Sequence, residues 1–369
     1  MHLCGALVAL ALCVDIITAL PADQAPSHEF PLRLIKTAEN DTGQWMTEQE
    51  MFENLTLKRR GFIDITDITD QDYLQALSMP DDEITVQDVS YPSKVMHKDE
   101  ATKMIGRTSI GNPQKWLKPF TNFHTRHLRS QTGTEAAEWL FELVKQVAAP
   151  NSAIIVEQFK HSFNQPSVIA RIPGERPDMI VIGGHLDCTS GSASARSPGA
   201  DDNGSGTVTI LEILRVLAES GFKPKNTIEF QWYGGEEAGL LGSSDIFKSY
   251  KAAKKSILAM VNVDMTAYSP SGKIFYYTDN TEPKLNEYVR MLITEFVGAP
   301  GTSKCGYACS DHATARRNGY PSAFVNEEAF KQSNPDIHSA ADTYDKVQWN
   351  AVMRHVKFLA AFAVEASYI

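Results

Sequence analysis

The sequence predicts an α/β sandwich around one central sheet, and three observations carry that expectation. Over residues 134–366, short apolar runs alternate with stretches whose apolar residues recur at helical spacing. Acidic and histidine residues cluster where several of those runs end, the edge of an open α/β sheet at which ligands bind. Hydrophobic residues make up 43% of 369, enough for a large core.

The elements follow in order. Ala137, Leu140, Leu143, Val144 and Val147 share one helical face, so residues 134–147 read as a helix. Residues 152–159 and 168–172 read as strands, and the apolar run 179–182 is a third. Helical patterns then cover 207–219, 240–253, 283–296, 311–317 and 349–366. Strand-like runs alternate with them at 227–233, 259–264, 273–277 and 322–325. The last helix places Val352, Met353, Val356 and Leu359 on one face, a core-packing stripe. No repeat or low-complexity tract interrupts the pattern.

Chemistry concentrates between these elements. Glu236 and Glu237 stand side by side after the run ending at Tyr233, among glycines. Adjacent carboxylates repel, and a divalent metal is the usual reason to hold them at a strand end, with one on the ion and its neighbour free to move protons. His185 leaves the 179–182 strand, and Asp187 can bond its other ring nitrogen and fix the tautomer. Asp201 and Asp202 form a second acidic pair in a glycine-rich loop, Asp264 ends another strand, and His338 follows Asp336 and Ile337. Take His185, Asp201, Glu237, Asp264 and His338 as ligands with one carboxylate shared. Each of two ions then receives three protein ligands, and three carboxylates with a hydroxide balance two dications. Two imidazoles favour zinc over magnesium, while cobalt or manganese could occupy the same site.

The ordered motifs GGHLD (183–187), GADDNGSG (199–206), GGEEAGLLGS (234–243), NVDM (262–265), CGYACSDH (305–312) and DIHSAADT (336–343) resemble the zinc aminopeptidases of peptidase family M28, most nearly the secreted fungal leucine aminopeptidases. The resemblance covers residues 91–369. It implies a zinc-peptidase-like, three-layer α/β/α sandwich with a mixed, mostly parallel sheet. It implies that Asp201 bridges two Zn²⁺ ions, His185 and Asp264 hold one, and Glu237 and His338 hold the other. It also implies a cis peptide bond after the bridging aspartate, at Asp201–Asp202. Such ions acidify water and polarise a carbonyl. Glu236 is then the general base, passing the water's proton to the leaving amine, and the Tyr307 hydroxyl steadies the oxyanion. Met265, Phe330 and Ile337 become walls of an apolar substrate pocket. The implied reaction is removal of one N-terminal residue, leucine-like by preference, from peptides with a free N-terminus. A carboxypeptidase or a glutaminyl cyclase uses a related site, though the cyclases generally lack the first histidine ligand, here His185. A non-catalytic binding domain would have lost ligands that this chain retains.

Residues 3–14 form an apolar run too short to span a membrane, followed by small residues near 19–22. Residues 1–20 therefore read as a secretory signal peptide, although its start carries no Lys or Arg. No other run is long enough to span a bilayer. Residues 1–90 carry 16 acidic and 5 basic side chains, against 29 and 30 in residues 91–369. The resemblance makes residues 21–90 an acidic propeptide removed near Tyr91, and residues 91–369 the peptidase domain. Lys58-Arg59-Arg60 offers an alternative processing site. The near-neutral catalytic part has no basic stripe for nucleic acid. Secreted, the protein is expected to act as a monomer whose partners are peptides and its own propeptide. Cys305 and Cys309 are four apart, a spacing that can close a small loop in an oxidising compartment. The resemblance supports that bridge and leaves Cys188 a buried thiol. Glycan is expected at Asn40 and Asn54, and not at Asn203 inside the metal loop.

Overall fold

The computed structural model describes residues 32–369, apart from residues 39, 40, 56, 57, 59, 61, 67 and 70. The expected leader and the Asn40 sequon lie outside the described residues. The chain from 32 to 90 contributes a small antiparallel sheet, ordered β2–β1–β3, from β1 (Arg33–Lys36), β2 (Gln44–Met46) and β3 (Ile63–Asp64), with helices α1 (Glu48–Asn54) and α2 (Gln71–Ser78). Thr47 caps α1 reciprocally with Glu50, which fixes where that helix starts. Asn54 stands exposed near its end.

An eight-stranded sheet, ordered β10–β9–β11–β8–β6–β7–β5–β4, forms the centre of the rest. Its strands are β4 (Ile155–Phe159), β5 (Ser167–Ile172), β6 (Arg176–His185), β7 (Asn226–Tyr233), β8 (Ile257–Val263), β9 (Phe275–Tyr277), β10 (Gly301–Ser303) and β11 (Ser322–Asn326). The inner four, β11, β8, β6 and β7, run parallel, so their C-terminal ends share one edge. Strands β5 and β4 add antiparallel on one side, and β9 pairs antiparallel with β11 on the other.

Alternation along β6 divides the core. Ile180 and Ile182 face one apolar layer and Met179 and Val181 the other. The first layer holds α3 (Lys98–Ile105), α4 (Gly111–Phe120), α5 (Gln131–Ala148), α6 (Gly206–Ser220), α8 (Pro283–Phe296) and α10 (Trp349–Ala366). The second holds α7 (Leu241–Ala252) and α9 (His312–Arg317). The expected three layers and mixed sheet are thus present. Helices α3 and α4 and strand β10 were not anticipated. Pro113 and Pro119 inside α4 break the usual helical signal, and α3 is short and polar.

Leu32–Ile369 is one compact unit, and residues 32–90 pack on the rest. Ile63, Ile65, Tyr73 and Leu77 share a buried cluster with Leu240, Ala308 and Ala313. Glycine at 239 permits the closest approach: its φ is +111°, and a Cβ there would lie 2.1 Å from the Asp64 carbonyl oxygen. Among the described residues, no helix is long and apolar enough to cross a membrane.

Candidate metal centre

The parallel strands deliver the site. His185 is the last residue of β6, Asp264 follows β8, and Glu236 and Glu237 follow β7 by a turn. Gly184 lets β6 lie close to β8, since a Cβ there would sit 2.4 Å from the Val263 carbonyl oxygen. The four successive N–H groups of the turn are all held. Gly234 donates to Ser167 Oγ (3.0 Å) and Gly235 to Gln165 Oε1 (3.1 Å). Glu236 and Glu237 donate to Asp187 Oδ1 and Oδ2 (3.1 and 3.2 Å). His161 orients Ser167 through Nε2 (2.7 Å) and meets Asp245 through Nδ1 (2.8 Å).

Five side chains converge in two groups that share one carboxylate: His185, Asp202 and Asp264, and Asp202, Glu237 and His338. His185 Nε2 lies 3.2 Å from Asp202 Oδ1 and 3.3 Å from Asp264 Oδ1. His338 Nε2 lies 3.0 Å from both Asp202 Oδ2 and Glu237 Oε2. The shared residue is Asp202, which corrects the expectation for Asp201. Asp201 turns away and is saturated: Oδ1 accepts from Ala267 N (2.9 Å) and Oδ2 from Asn334 Nδ2 (2.8 Å). Its backbone N–H, and that of Asp202, donate to Asp342. The cis bond is likewise one residue later than expected, at Asp202–Asn203. The sequon residue Asn203 is fully buried, bonding Val263, Gly206 and Met265.

The donor set suits metal ions. Two imidazoles and three carboxylates point inward with few other partners, and Glu237 Oε1 is buried without one. Burial pushes the Asp202 carboxyl up, yet hydrogen bonds and charge from His185 and His338 hold it below its ordinary value. Burial raises Glu236 well above the usual carboxylate range, and neighbouring acids add to the rise against His185. A raised carboxylate beside the centre is equipped to exchange a proton. Asp264 Oδ2 accepts from Ser310 Oγ (2.7 Å), which in turn accepts from Asn262 Nδ2 (2.8 Å). His185 Nδ1 is 3.4 Å from Asp187 Oδ1 and 3.2 Å from that residue's backbone oxygen. Asp187 therefore serves both the imidazole and the Glu236–Glu237 backbone, and only the first role was anticipated.

A cavity of about 230 Å³ opens over the centre. Met265, Tyr307, Phe330 and Ile337 line it, and so do Tyr277 and Phe324, which the sequence did not single out. Tyr307 meets Phe330 edge-on at 6.1 Å, and burial raises its hydroxyl far above the ordinary phenol range. Cys305 and Cys309 are joined, and Asp279 anchors that loop by accepting from the Cys305 and Gly306 N–H groups. Cys188 is a free, buried thiol.

A mixed α/β sheet with a two-lobed carboxylate–imidazole centre at the ends of its parallel inner strands defines a metal-dependent hydrolase class. The profile of peptidase family M28 matches residues 167–363. A probable leucine aminopeptidase of Arthroderma otae is 39% identical over 368 residues, covering 98% of each chain. Leucine aminopeptidase 1 of Trichophyton rubrum is 39% identical over 388 residues, covering 99% of each. The crystal structure of the LapA aminopeptidase of Legionella pneumophila superposes with a TM-score of 0.79 at 28% identity, covering 91% of this chain and 94% of that one. The chain belongs to peptidase family M28.

Proposed function

We propose that the protein is a secreted di-zinc aminopeptidase, made with a removable N-terminal segment, that hydrolyses the N-terminal peptide bond of peptides beginning with leucine or another large apolar residue. The leucine aminopeptidases among its relatives support the reaction class. The observation that carries the reading is the shared Asp202 carboxylate at the edge of an apolar cavity. His185 and Asp264 would hold one ion, Glu237 and His338 the other, and Asp202 both. Bound there, the ions supply Lewis acidity to a water and to a substrate carbonyl. The chain's residues do the rest. Glu236, raised by burial, takes a proton from water and returns it to the leaving amine. Tyr307, at the cavity wall, donates to the developing oxyanion. Met265, Phe330 and Ile337 receive the apolar side chain.

Residues 32–90 support a precursor form, because Arg60 and Phe62 stand in the wall of the same cavity. The zinc-loaded chain, cleaved near Tyr91, is expected to hydrolyse Leu-p-nitroanilide and to leave its N-blocked counterpart intact. The uncleaved chain is expected to be slow. Equal hydrolysis of blocked and free substrates would overturn the aminopeptidase reading, and equal rates before and after cleavage would overturn the precursor reading.

A further inference from the structure

A second cavity, of about 50 Å³, lies beside the first. Phe62 and Glu237 line both, so the Phe62 side chain, which belongs to the 32–90 segment, helps to partition them. The catalytic side of the smaller cavity includes His127, Arg129 and residues 189–192. Into this corner the segment places Glu48. Its Oε1 accepts from Arg129 Nη1 at 2.8 Å and its Oε2 from the Ala193 N–H at 3.4 Å. Asp64 stands next to it, 3.7 Å from Arg129 Nη2, although Arg33 of the same segment already pairs with Asp64 at 2.5 Å. Phe52 covers Gly191. One carboxylate is thus held at both oxygens by two donors of the catalytic part.

We propose that Arg129 and the Ala193 N–H form a carboxylate subsite of the mature enzyme, occupied in the precursor by Glu48, that takes an acidic group of the peptide beyond the scissile bond. The proposal rests on the aminopeptidase reading above. The apolar end of the large cavity receives the N-terminal side chain. The remaining peptide leaves the centre on another side, and the Glu237 edge leads to Arg129 once Phe62 is gone. The His127 ring does not compete for the carboxylate as a cation. Its Nδ1 accepts from the Arg129 N–H at 3.1 Å, and burial, then the Arg129 charge, push the ring below the ordinary imidazole range. The acidic group is either a side chain or the terminal carboxylate of a short peptide, and the test separates the two.

The full chain is folded, nicked near Tyr91, washed free of the segment in high salt and returned to low salt. Paired substrates are Leu-Glu-Gly-amide against Leu-Gln-Gly-amide, Leu-Gly-Glu-amide against Leu-Gly-Gln-amide, and Leu-Gly-Gly against its amide. One glutamyl peptide is expected to exceed its glutaminyl partner about fivefold in kcat/KM, the upper range of an exposed ion pair. The ratio should approach one at about 0.5 M salt and in Arg129→Gln, and stay intermediate in Arg129→Lys, which keeps charge but loses the fork. A preference confined to free Leu-Gly-Gly assigns the subsite to the terminal carboxylate. Ratios near one throughout, in protein that cleaves Leu-p-nitroanilide, overturn the subsite. Failure to cleave Leu-p-nitroanilide overturns the aminopeptidase reading instead. The carboxylate site is then judged by segment retention in the nicked chain: Glu48→Gln should speed release severalfold, and equal release rejects it.

Discussion

The 32–90 segment and the catalytic part bury their apolar residues in different ways. The catalytic part closes two layers of its own on a sheet in which strands β7 and β11 are wholly buried. The segment has only short strands, and its buried cluster is completed by Leu240, Ala308 and Ala313 of its neighbour. Leu240 follows the Glu236–Glu237 turn, and Ala308 lies inside the Cys305–Cys309 loop. The segment's core is therefore finished by the catalytic site itself. A small element with too little apolar area to fold alone gains stability by borrowing a surface, and here that surface surrounds the centre.

The sharpest way to break this comparison is inside the catalytic part. Asp202→Asn is expected to abolish activity and to lower the content of both metal ions, measured by elemental analysis. Asp201→Asn should keep metal and instead lower stability by about 1–3 kcal/mol, because an amide nitrogen would face a donor in its buried network. Metal loss in the Asp201 variant alone would reverse the assignment made from geometry. Glu236→Gln comes next. Its kcat should fall by roughly 10²–10⁴-fold with metal content unchanged, as expected for loss of a general base.

The borrowed surface predicts smaller effects. Leu77 is almost fully buried in the shared cluster, so Leu77→Ala should weaken the segment's docking by about 2–4 kcal/mol. Limited proteolysis should then cut residues 32–90 faster while the catalytic part keeps its protection. Equal loss of protection in both parts would show that they fold as one unit. Acid should have the mildest effect. The N–H groups of Thr37 and Gly43 hold the Asp41 carboxyl below its ordinary value. A depressed folded value stabilises above the unfolded one, about 3.9, and that contribution fades as pH falls through the folded value. Protease sensitivity of the segment should accordingly rise only below about pH 4, and Asp41→Asn should flatten that rise.

Much of the catalytic part was legible because its signals are local. The helices at 283–296 and 349–366 follow the apolar periodicity to the residue, and the other expected helices end within a few residues of it. Four of the five side chains that converge at the candidate centre could be read from strand ends and motifs. Asp201 and Asp202 could not be separated that way, since both precede the same helix in the same glycine-rich loop. What distinguishes them is distant: Asn334, Ala267 and Asp342 claim Asp201 and the loop backbone and leave the Asp202 side chain facing the imidazoles. Gln165 and Ser167 went unread for the same reason, because their partners are some 70 residues away in the chain. The segment showed enough apolar residues to dock, but no sequence pattern named its landing surface.

The four anchored N–H groups of the Gly234–Glu237 turn also bear on when the centre can exist during folding. Their acceptors come from the start of β5 and from just beyond β6, while the turn itself follows β7. The turn can take its final form only after β5 and β6 have both paired with β7, contacts that close long loops and therefore form slowly. A chain that has formed only local helices offers scattered carboxylates but no paired sites. Tight metal capture would then be a late event, and its rate a clock for completion of the sheet rather than for collapse of the chain.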